Sequence, residues 1–461
     1  MKSTTPTLES LLAIIEAQAE TIKQLQAKIA DLEKRLNKNS RNSSKPPSSD
    51  GLSKPPRTTS LREKGRNKSG GQLGHKGETL KQVASPDVVI THSISHCPDC
   101  GNELSSNLTG EICRQVFDIP PAQLFVTEHR AEVKHCACCK RRISALFPED
   151  VTAPVQYGER IKSLALYLQH QHFIPEERLQ QIFGDVFGVS LSTATLSRVS
   201  EVAYRNLSQF EEVLFEKIKG SPVKHLDETG FRVSAKTQWL HTASTEHLTY
   251  YHVSPKRKSL LQGLTGVVVH DHWRPYFQLP DVKHALCNQH HLRELTALIE
   301  HEKEAWARKM KRLLRCMLRY RHYYGDNPIP TSLLNRLNNL YSRIVYEGFA
   351  YHEKNLLPAV KKRQGRVPNR PGHNFLIRLR DYREDVLRFL HDPNVPFTNN
   401  LAERDLRMMK CKQKISGGFR AQQGADIFAR IRGFISTARK QGWNVFDSIQ
   451  DVFSNQLPQL F

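Results

Sequence analysis

Apolar residues recur every seven positions at the start of the chain. Leu8, Ile15, Ile22, Ile29 and Leu36 fill one heptad position. Leu11, Leu25 and Leu32 fill another, three residues on, where Gln18 interrupts the series. Isoleucine at the first position and leucine at the second favour a parallel two-stranded coiled coil. Residues 1–36 are therefore expected to be a helix that joins copies of the chain into a homodimer or higher oligomer. The alternative is a single amphipathic helix packed on the rest of the chain.

The pattern then stops. Residues 37–77 hold two Pro-Pro pairs, many Ser and Gly, and almost no apolar side chains, which forbids a packed core. Ten Lys or Arg face only Asp50 and Glu63, so the segment reads as a flexible basic linker able to lie along phosphates. Over 88–152, short alternating runs (VVITHSI, RQVFDI, LFVTEHRAEV) predict strands. Residues 157–215 turn helical. RIKSLALYLQHQHF has helical spacing, Pro175 breaks it, EERLQQIFGDVF resumes it, Gly188 makes a turn, and LSTATLSRVSEVAYRNL opens with a Ser/Thr cap. This is the helix-turn-helix pattern, and it would place Ser192, Thr193 and Thr195 at the start of a DNA-reading helix. Two packed helices of any bundle look similar.

Strand alternation returns at 222 with PVKHLDET, QWLHTAST and HLTYYHV; a helix-like KRKSLLQGL leads into the strand TGVVVHD. Residues 222–285 are expected to form the first part of an α/β core, 286–397 an all-helical segment punctuated by prolines, and 398–461 the closing helices. The fold class expected is multidomain α+β.

Composition narrows the partner. Among 461 residues, 68 Lys and Arg against 46 Asp and Glu give a formal charge of +22, which points to a polyanion, nucleic acid before anionic membrane. No run of 18 apolar residues exists and the N-terminus lacks a secretory pattern, so no membrane association and a cytoplasmic location are expected.

Six of the nine cysteines fall between 97 and 139, which suggests metal rather than disulfides. Cys97 and Cys100 form one C-x2-C pair and Cys136 and Cys139 another, with 35 residues between them. Four thiolates in two such knuckles make a closed tetrahedral site for structural Zn²⁺. Cys138 is an alternative to Cys139, Cys113 is expected to be buried, and His96 and His135 are substitute or neighbouring ligands.

Asp227 ends one apolar strand and Asp271 another, 44 positions later. That order resembles a ribonuclease H-like core, which needs a third carboxylate from a helix crossing the sheet. Glu403 in TNNLAERDLRMMKCKQKISGGFR fits, with Thr398 or Asn399 as helix cap. Such a set can hold two Mg²⁺ (or Mn²⁺) ions for in-line phosphoryl displacement. Glu403, Arg407, Lys410 and Lys414 lie at i, i+4, i+7 and i+11 and share one face, so the three cations are expected to grip DNA. Glu228 and Asp405 are expected to point away from it.

These motifs together resemble a known family. NSSKPPSSDG and GGQLGHKG in the linker, HCPDCG with its later C-x2-C, HLDETG and NNLAERDLR look like the TnpC-type DDE transposases of the insertion-sequence sixty-six family, in that order and along nearly the whole chain. The resemblance implies DNA cutting and joining at the element's terminal inverted repeats with divalent metal. It implies a ribonuclease H-like core interrupted by a helical insertion; 131 residues separate Asp271 from Glu403. It assigns the catalytic roles to Asp227, Asp271 and Glu403. The second departs from the family's Asp-Gly-Tyr turn, and Asp281 is the fallback. Cys287 and His290 match a Cys-x2-His signature whose expected role is packing or hydrogen bonding near the site, with a second metal as the lesser alternative. Double-stranded DNA is the implied partner, with small accessory proteins of the same element, and the protein would be nucleoid-associated. Two other readings remain: a non-catalytic zinc-containing DNA-binding regulator, and a ribonuclease H-like nuclease without strand transfer.

Overall fold

A computed structural model describes residues 8–39, 42–43, 79–106, 110–355, 369–454 and 456–460. Almost all of the basic linker at 37–77 lies outside the described residues. The chain divides into two units, one of residues 57–128 and one of residues 1–56 with 129–461.

In the larger unit, α1 (Leu8–Leu36) is one continuous helix. Its heptad seam is uncovered, with Ile15, Ile22, Ile29 and Leu32 all exposed. A short hairpin follows, β1 (Val133–His135) and β2 (Arg142–Ser144). Next come α2 (Glu159–Leu166), running on into a π-helical turn, α3 (Glu176–Phe187), α4 (Thr193–Asn206) and α5 (Ser208–Gly220). Pro175 occupies the N-cap of α3, and Gly188 closes that helix in the left-handed conformation at φ 63°. Glycine adopts that angle without the clash a Cβ would bring. Ser192 then caps α4 by accepting from Thr195 N at 3.1 Å. Leu179, Phe183, Val189, Leu191 and Leu196 close the α3–turn–α4 core.

The central sheet follows in chain order: β3 (Val223–Val233), β4 (Lys236–Ser244), β5 (Thr249–Ser254), β6 (Gly266–His270) and β7 (Val282–Leu286). Its spatial order is β5-β4-β3-β6-β7. The first three strands run antiparallel in sequence, and β6 and β7 add parallel to β3. Ser234 and Ala235 turn the β3–β4 hairpin, both at positive φ, as a two-residue hairpin loop demands. The segment KRKSLLQGL before β6 is not the helix its spacing suggested. Pro255 precedes it and Gly263 and Gly266 have positive φ, so the chain crosses irregularly while Leu261 and Leu264 reach the core.

After β7 the chain is helical: α6 (Asn288–Ala297), α7 (Ala305–Tyr324), α8 (Thr331–Lys354), α9 (Pro371–Asp381) and α10 (Arg383–His391). In α7, Trp306, Met310, Leu313, Leu314 and Met317 repeat at helical spacing and are buried, which is why it packs along one stripe. The closing helices are α11 (Asn400–Ser416), α12 (Gln422–Lys440) and α13 (Val445–Ser454). Ile431, Phe434 and Ile435 of α12 join Leu226, Ala243 and Val268 of the sheet in the main core. Each such fully buried side chain contributes roughly 1.5–3 kcal/mol. No described helix is long and apolar enough to cross a membrane.

In the smaller unit the alternating runs VVITHSI and RQVFDI do not pair as strands; among the described residues of this unit one bridge, His96 with Glu103, is present. Their apolar side chains, such as Val88, Ile112 and Val116, stay exposed. Alternation makes a chain extended, but a strand also needs a partner edge, and here Gln115 links to Val83 through its side-chain amide instead. Cys113 is exposed, not buried as expected.

Candidate active site and cysteine knuckles

The sheet register brings the first two carboxylates together. His225 of β3 pairs with Val269 of β6 in parallel. Continued by two residues, that register sets Asp227 beside Asp271; Asp227 does not end its strand as expected but lies midway along β3, which runs on to Val233 paired with β4, while Asp271 stands just past the carboxyl end of β6. Asp271 follows β6 directly, and its Oδ1 accepts from Trp273 N at 2.9 Å. Asp281 is exposed, at φ 57°, just before β7.

Helix α11 delivers Glu403 to the same end. It lies along β3 and is tied to it at three points. At its start, buried Asn399 accepts from His225 Nδ1 at 2.8 Å and donates to Leu226 O at 2.7 Å. Asn399 thus occupies the N-cap position, but its side chain caps the strand rather than the helix. Midway, Lys410 Nζ donates to Gly230 O at 2.8 Å. At its end, Phe419 N donates to Arg232 O at 2.8 Å. That last approach requires Gly418, where a Cβ would stand 2.6 Å from Arg232 O.

The electrostatics report the convergence. Burial pushes the Asp227 carboxyl well above the usual carboxylate range, and the charges of Glu228, Asp271 and Glu403 push it the same way. Glu403 Oε1 is a buried oxygen without a hydrogen-bond partner. A cluster of carboxylates with an orphaned oxygen fits a hard divalent cation, which takes oxygen ligands.

Several sequence expectations change here. Glu228 does not point away. It is buried, accepts from Arg257 at 2.8 and 2.6 Å and from the Tyr276 hydroxyl, and its pKa is raised by burial. Arg257 in turn lies over the Trp273 ring at 4.3 Å and the Trp239 ring at 5.0 Å. Asp405 is a second buried anchor. Its Oδ2 accepts from Ser244 at 2.6 Å, Thr249 at 3.1 Å and Lys440 at 2.7 Å. Lys410 is not a free DNA-gripping cation beside exposed Arg407 and Lys414; its ammonium is held by β3, and burial lowers its pKa. Ser192 and Thr193 are exposed, while Ser192 and Thr195 bond to each other in the α4 cap.

Sequence spacing did not single out Asn399 and Arg257 as functional. Asn399 lies inside the NNLAERDLR motif, and only its removal from the cap shows its role. Arg257 lies in a basic run that looks like any solvated segment.

Beside the carboxylates, Cys287 at the end of β7 and His290 on α6 approach Glu403. Burial would lower the His290 pKa, but the charge of Cys287, its hydrogen bond and the charge of Glu403 push it up to about 9.

The two cysteine knuckles have the same internal hydrogen bonds. Cys97 N donates to Asn102 O and Gly101 N to Cys97 O; Cys136 N donates to Arg141 O and Lys140 N to Cys136 O, all at 2.9 Å. The residue after the second cysteine has positive φ in both, Gly101 and Lys140. Backbone N–H groups turned on Cys97 and Cys136 lower both thiol pKa values, and the neighbouring thiols that help are those of Cys100 and Cys139. Cys139 rather than Cys138 is therefore the thiol that bonds to Cys136.

A mixed sheet with helices packed against it, a group of interacting carboxylates and two C-x2-C turns of the same form define a mixed α/β protein. The sequence profile of the Transposase IS66 family matches residues 154–427, more than half of the chain, and the chain belongs to that family. The zinc-finger binding domain of transposase IS66 matches residues 95–140, and a family of unknown function matches residues 3–81. The uncharacterized protein y4jO of Sinorhizobium fredii is 31% identical over 101 residues, which are 21% of this chain and 32% of that protein. The chain thus spans about a third of that relative's length.

Proposed function

We propose that this transposase cuts insertion-sequence ends and joins them to target DNA, with Asp227, Asp271 and Glu403 as its catalytic carboxylates. The observation that carries the reading is their convergence, one from the middle of β3, one from just past the end of the parallel strand β6, and one from a helix bound to β3, with the charges of Asp271 and Glu403 acting on Asp227. The strand order β5-β4-β3-β6-β7, with three antiparallel strands and two parallel additions, supports a ribonuclease H-like core. Residues 286–397 are then the helical insertion, with core residues 222–285 before it and 398–461 after it.

Two Mg²⁺ or Mn²⁺ ions held by the three carboxylates would supply Lewis-acid activation of the attacking and leaving oxygens. The protein's own part is placement. Asn399 and Asp405 fix α11, so Glu403 faces Asp227. Glu228 and the two tryptophans orient Arg257 for a phosphate close to Asp271. Exposed Arg407 and Lys414 contact the flanking backbone.

The other parts serve DNA binding and assembly. Cys97, Cys100, Cys136 and Cys139 hold structural Zn²⁺ within the 88–152 ribbon. Helix α4 of the 157–215 domain reads DNA through Ser192, Thr193 and Thr195. The uncovered Ile/Leu seam of α1 pairs two copies, and the 37–77 linker lies along phosphates. The protein works in the cytoplasm on nucleoid DNA, and small accessory proteins of the element join the complex.

The test is Mg²⁺-dependent joining of a pre-cut element end to a second duplex. A transposase joins them. A DNA-binding regulator gives no product, and a nuclease gives cutting without joining; either outcome overturns the reading.

A further inference from the structure

The tightest cluster of metal-ligating atoms among the described residues is not the carboxylate set. Cys287 Sγ, a ring nitrogen of His290 and a carboxylate oxygen of Glu403 all lie within 4.8 Å of one another. No other three His, Cys, Asp or Glu residues among those described gather so closely. We propose that Cys287, His290 and Glu403 form a second zinc site, separate from the cysteine knuckles.

Three features support it. The first is unmet bonding capacity: His290 Nδ1 and Glu403 Oε1 are both buried without a hydrogen-bond partner. Such atoms are costly to bury unless something occupies them. The second is the sulfur's environment. Cys287 is buried, and Asn399 N donates to its Sγ at 3.1 Å. A backbone N–H aimed at the sulfur fixes its direction, as the hydrogen bonds around metal-ligating side chains do. The third is the donor set. One sulfur, one imidazole nitrogen and one carboxylate oxygen suit a borderline cation such as Zn²⁺, whereas Mg²⁺ takes oxygen alone.

The placement is also favourable. Cys287 ends β7 and precedes α6, and His290 is one turn on, so both donors sit on rigid elements. Zn–S and Zn–N bonds of about 2.3 and 2.0 Å need the three atoms to close by roughly an ångström, which side-chain rotation supplies. Three protein ligands leave the fourth position open, for water or a phosphate oxygen of bound DNA. The site would hold one oxygen of Glu403 and so orient its carboxylate.

The proposal does not depend on the catalytic reading, because its test needs no DNA. Elemental analysis of the full-length protein after dialysis should give about two zinc ions per chain. Cys97→Ser should remove one and Cys287→Ser the other, and the double variant should hold none. Because Cys287 is buried, His290→Gln provides a second reading at a half-buried position, and it should lose the same ion with an unchanged circular dichroism spectrum. Cobalt substitution should show sulfur-to-cobalt charge transfer in Cys97→Ser that Cys287→Ser abolishes when combined with it. A zinc content that neither Cys287→Ser nor His290→Gln lowers would overturn the site, whereas a single zinc lost in Cys287→Ser and kept in Cys97→Ser would instead overturn the knuckle site.

Discussion

Asn399 bonds through both ends of its amide to the strand that carries Asp227, accepting from His225 Nδ1 at 2.8 Å and donating to Leu226 O at 2.7 Å. Burial pulls the His225 pKa down to about 4, so the ring is neutral and its Nδ1–H is the donor. Glu403 stands in the first turn of α11, four residues after this anchor, and Glu403 N donates to Asn399 O at 3.3 Å. Of the links that hold α11 to β3, this amide is the one nearest both Asp227 and Glu403 in the chain.

Asn399→Ala leaves the His225 Nδ1–H and Leu226 O unpaired in the interior. Each orphaned buried group costs roughly 1–3 kcal/mol. Chemical denaturation should show a loss in that range or above. Joining should fall about tenfold or more, because a displaced reacting group loses orientation. Binding of element ends should hold. Unchanged stability together with unchanged joining would refute the anchor.

Asp405 carries a similar burden on the other side of α11. Its Oδ2 is the shared acceptor of Ser244, Thr249 and Lys440. Asp405→Ala strands the half-buried Lys440 ammonium, which costs less than the roughly 3–5 kcal/mol of breaking a fully buried pair from one side. The expected result is a marked drop in melting temperature, whereas Arg407→Ala, on the exposed face, should melt like wild type. Equal melting of the two variants would show that the network contributes nothing.

The sequence made parts of this legible and hid others, for physical reasons. The helix over residues 8–36, the two C-x2-C turns, the Gly188 turn and the β3–β4–β5 run are local features, and each stands where its period or spacing set it. The pairing of Asp227 with Asp271 is readable once β3 and β6 are assumed parallel. What spacing could not show is which face of α11 meets the sheet. It counted Lys410 with Arg407 and Lys414 because all three share helical phase with Glu403. A lysine stem is long enough to bend its ammonium to Gly230 O, and phase does not record that. The same blindness set aside Glu228 and Asp405, whose partners come from distant strands. The irregular crossing at 255–265 was misread because Leu260, Leu261 and Leu264 mimic helical spacing while serving the core.

Charge removal on α11 should separate the two kinds of cation. Arg407→Ala and Lys414→Ala should each lower DNA affinity for all sequences and reduce the log–log salt slope by about 0.9 per lost phosphate contact. Lys410→Ala should leave the slope unchanged and reduce stability instead, since it uncovers Gly230 O. Binding titrations across a salt series read all three. A slope change in Lys410→Ala equal to the others would place its ammonium on DNA after all.

Asp227 makes the metal dependence a function of pH. Its folded pKa is raised by burial and by Glu228, Asp271 and Glu403. The folded state therefore holds the proton more tightly than the unfolded chain, whose value is about 3.9. Its contribution to stability is full below that value and is lost as pH rises through the raised folded pKa. Once pH rises through that raised pKa, the ionised Asp227 meets the charges of Glu228, Asp271 and Glu403, and a divalent cation should offset the repulsion. Mn²⁺ should raise the melting temperature at about pH 8 and have little effect near pH 4, where ligand protonation competes. Asp227→Asn should melt above wild type in chelator and respond weakly to Mn²⁺. An equal Mn²⁺ response at both pH values would remove the link between Asp227 and metal.

Catalysis gives the most demanding test. Asp227→Asn, Asp271→Asn and Glu403→Gln keep side-chain size and remove one negative charge each from the cluster. If the three act as one metal-holding set, each should reduce cutting and joining by several orders of magnitude, and double variants should be little worse than single ones. Binding of element ends should survive, because less negative charge in a basic protein does not weaken its attraction for phosphate. Asp281→Asn is the informative control: it lies exposed before β7 and should keep wild-type joining. Folding must be intact for the comparison, and the expected rise in melting temperature of Asp227→Asn in chelator reports that independently. Loss of joining in Asp281→Asn with retention in Asp271→Asn would move the second catalytic carboxylate from the end of β6 to the start of β7, and with it the register argument that sets Asp271 beside Asp227.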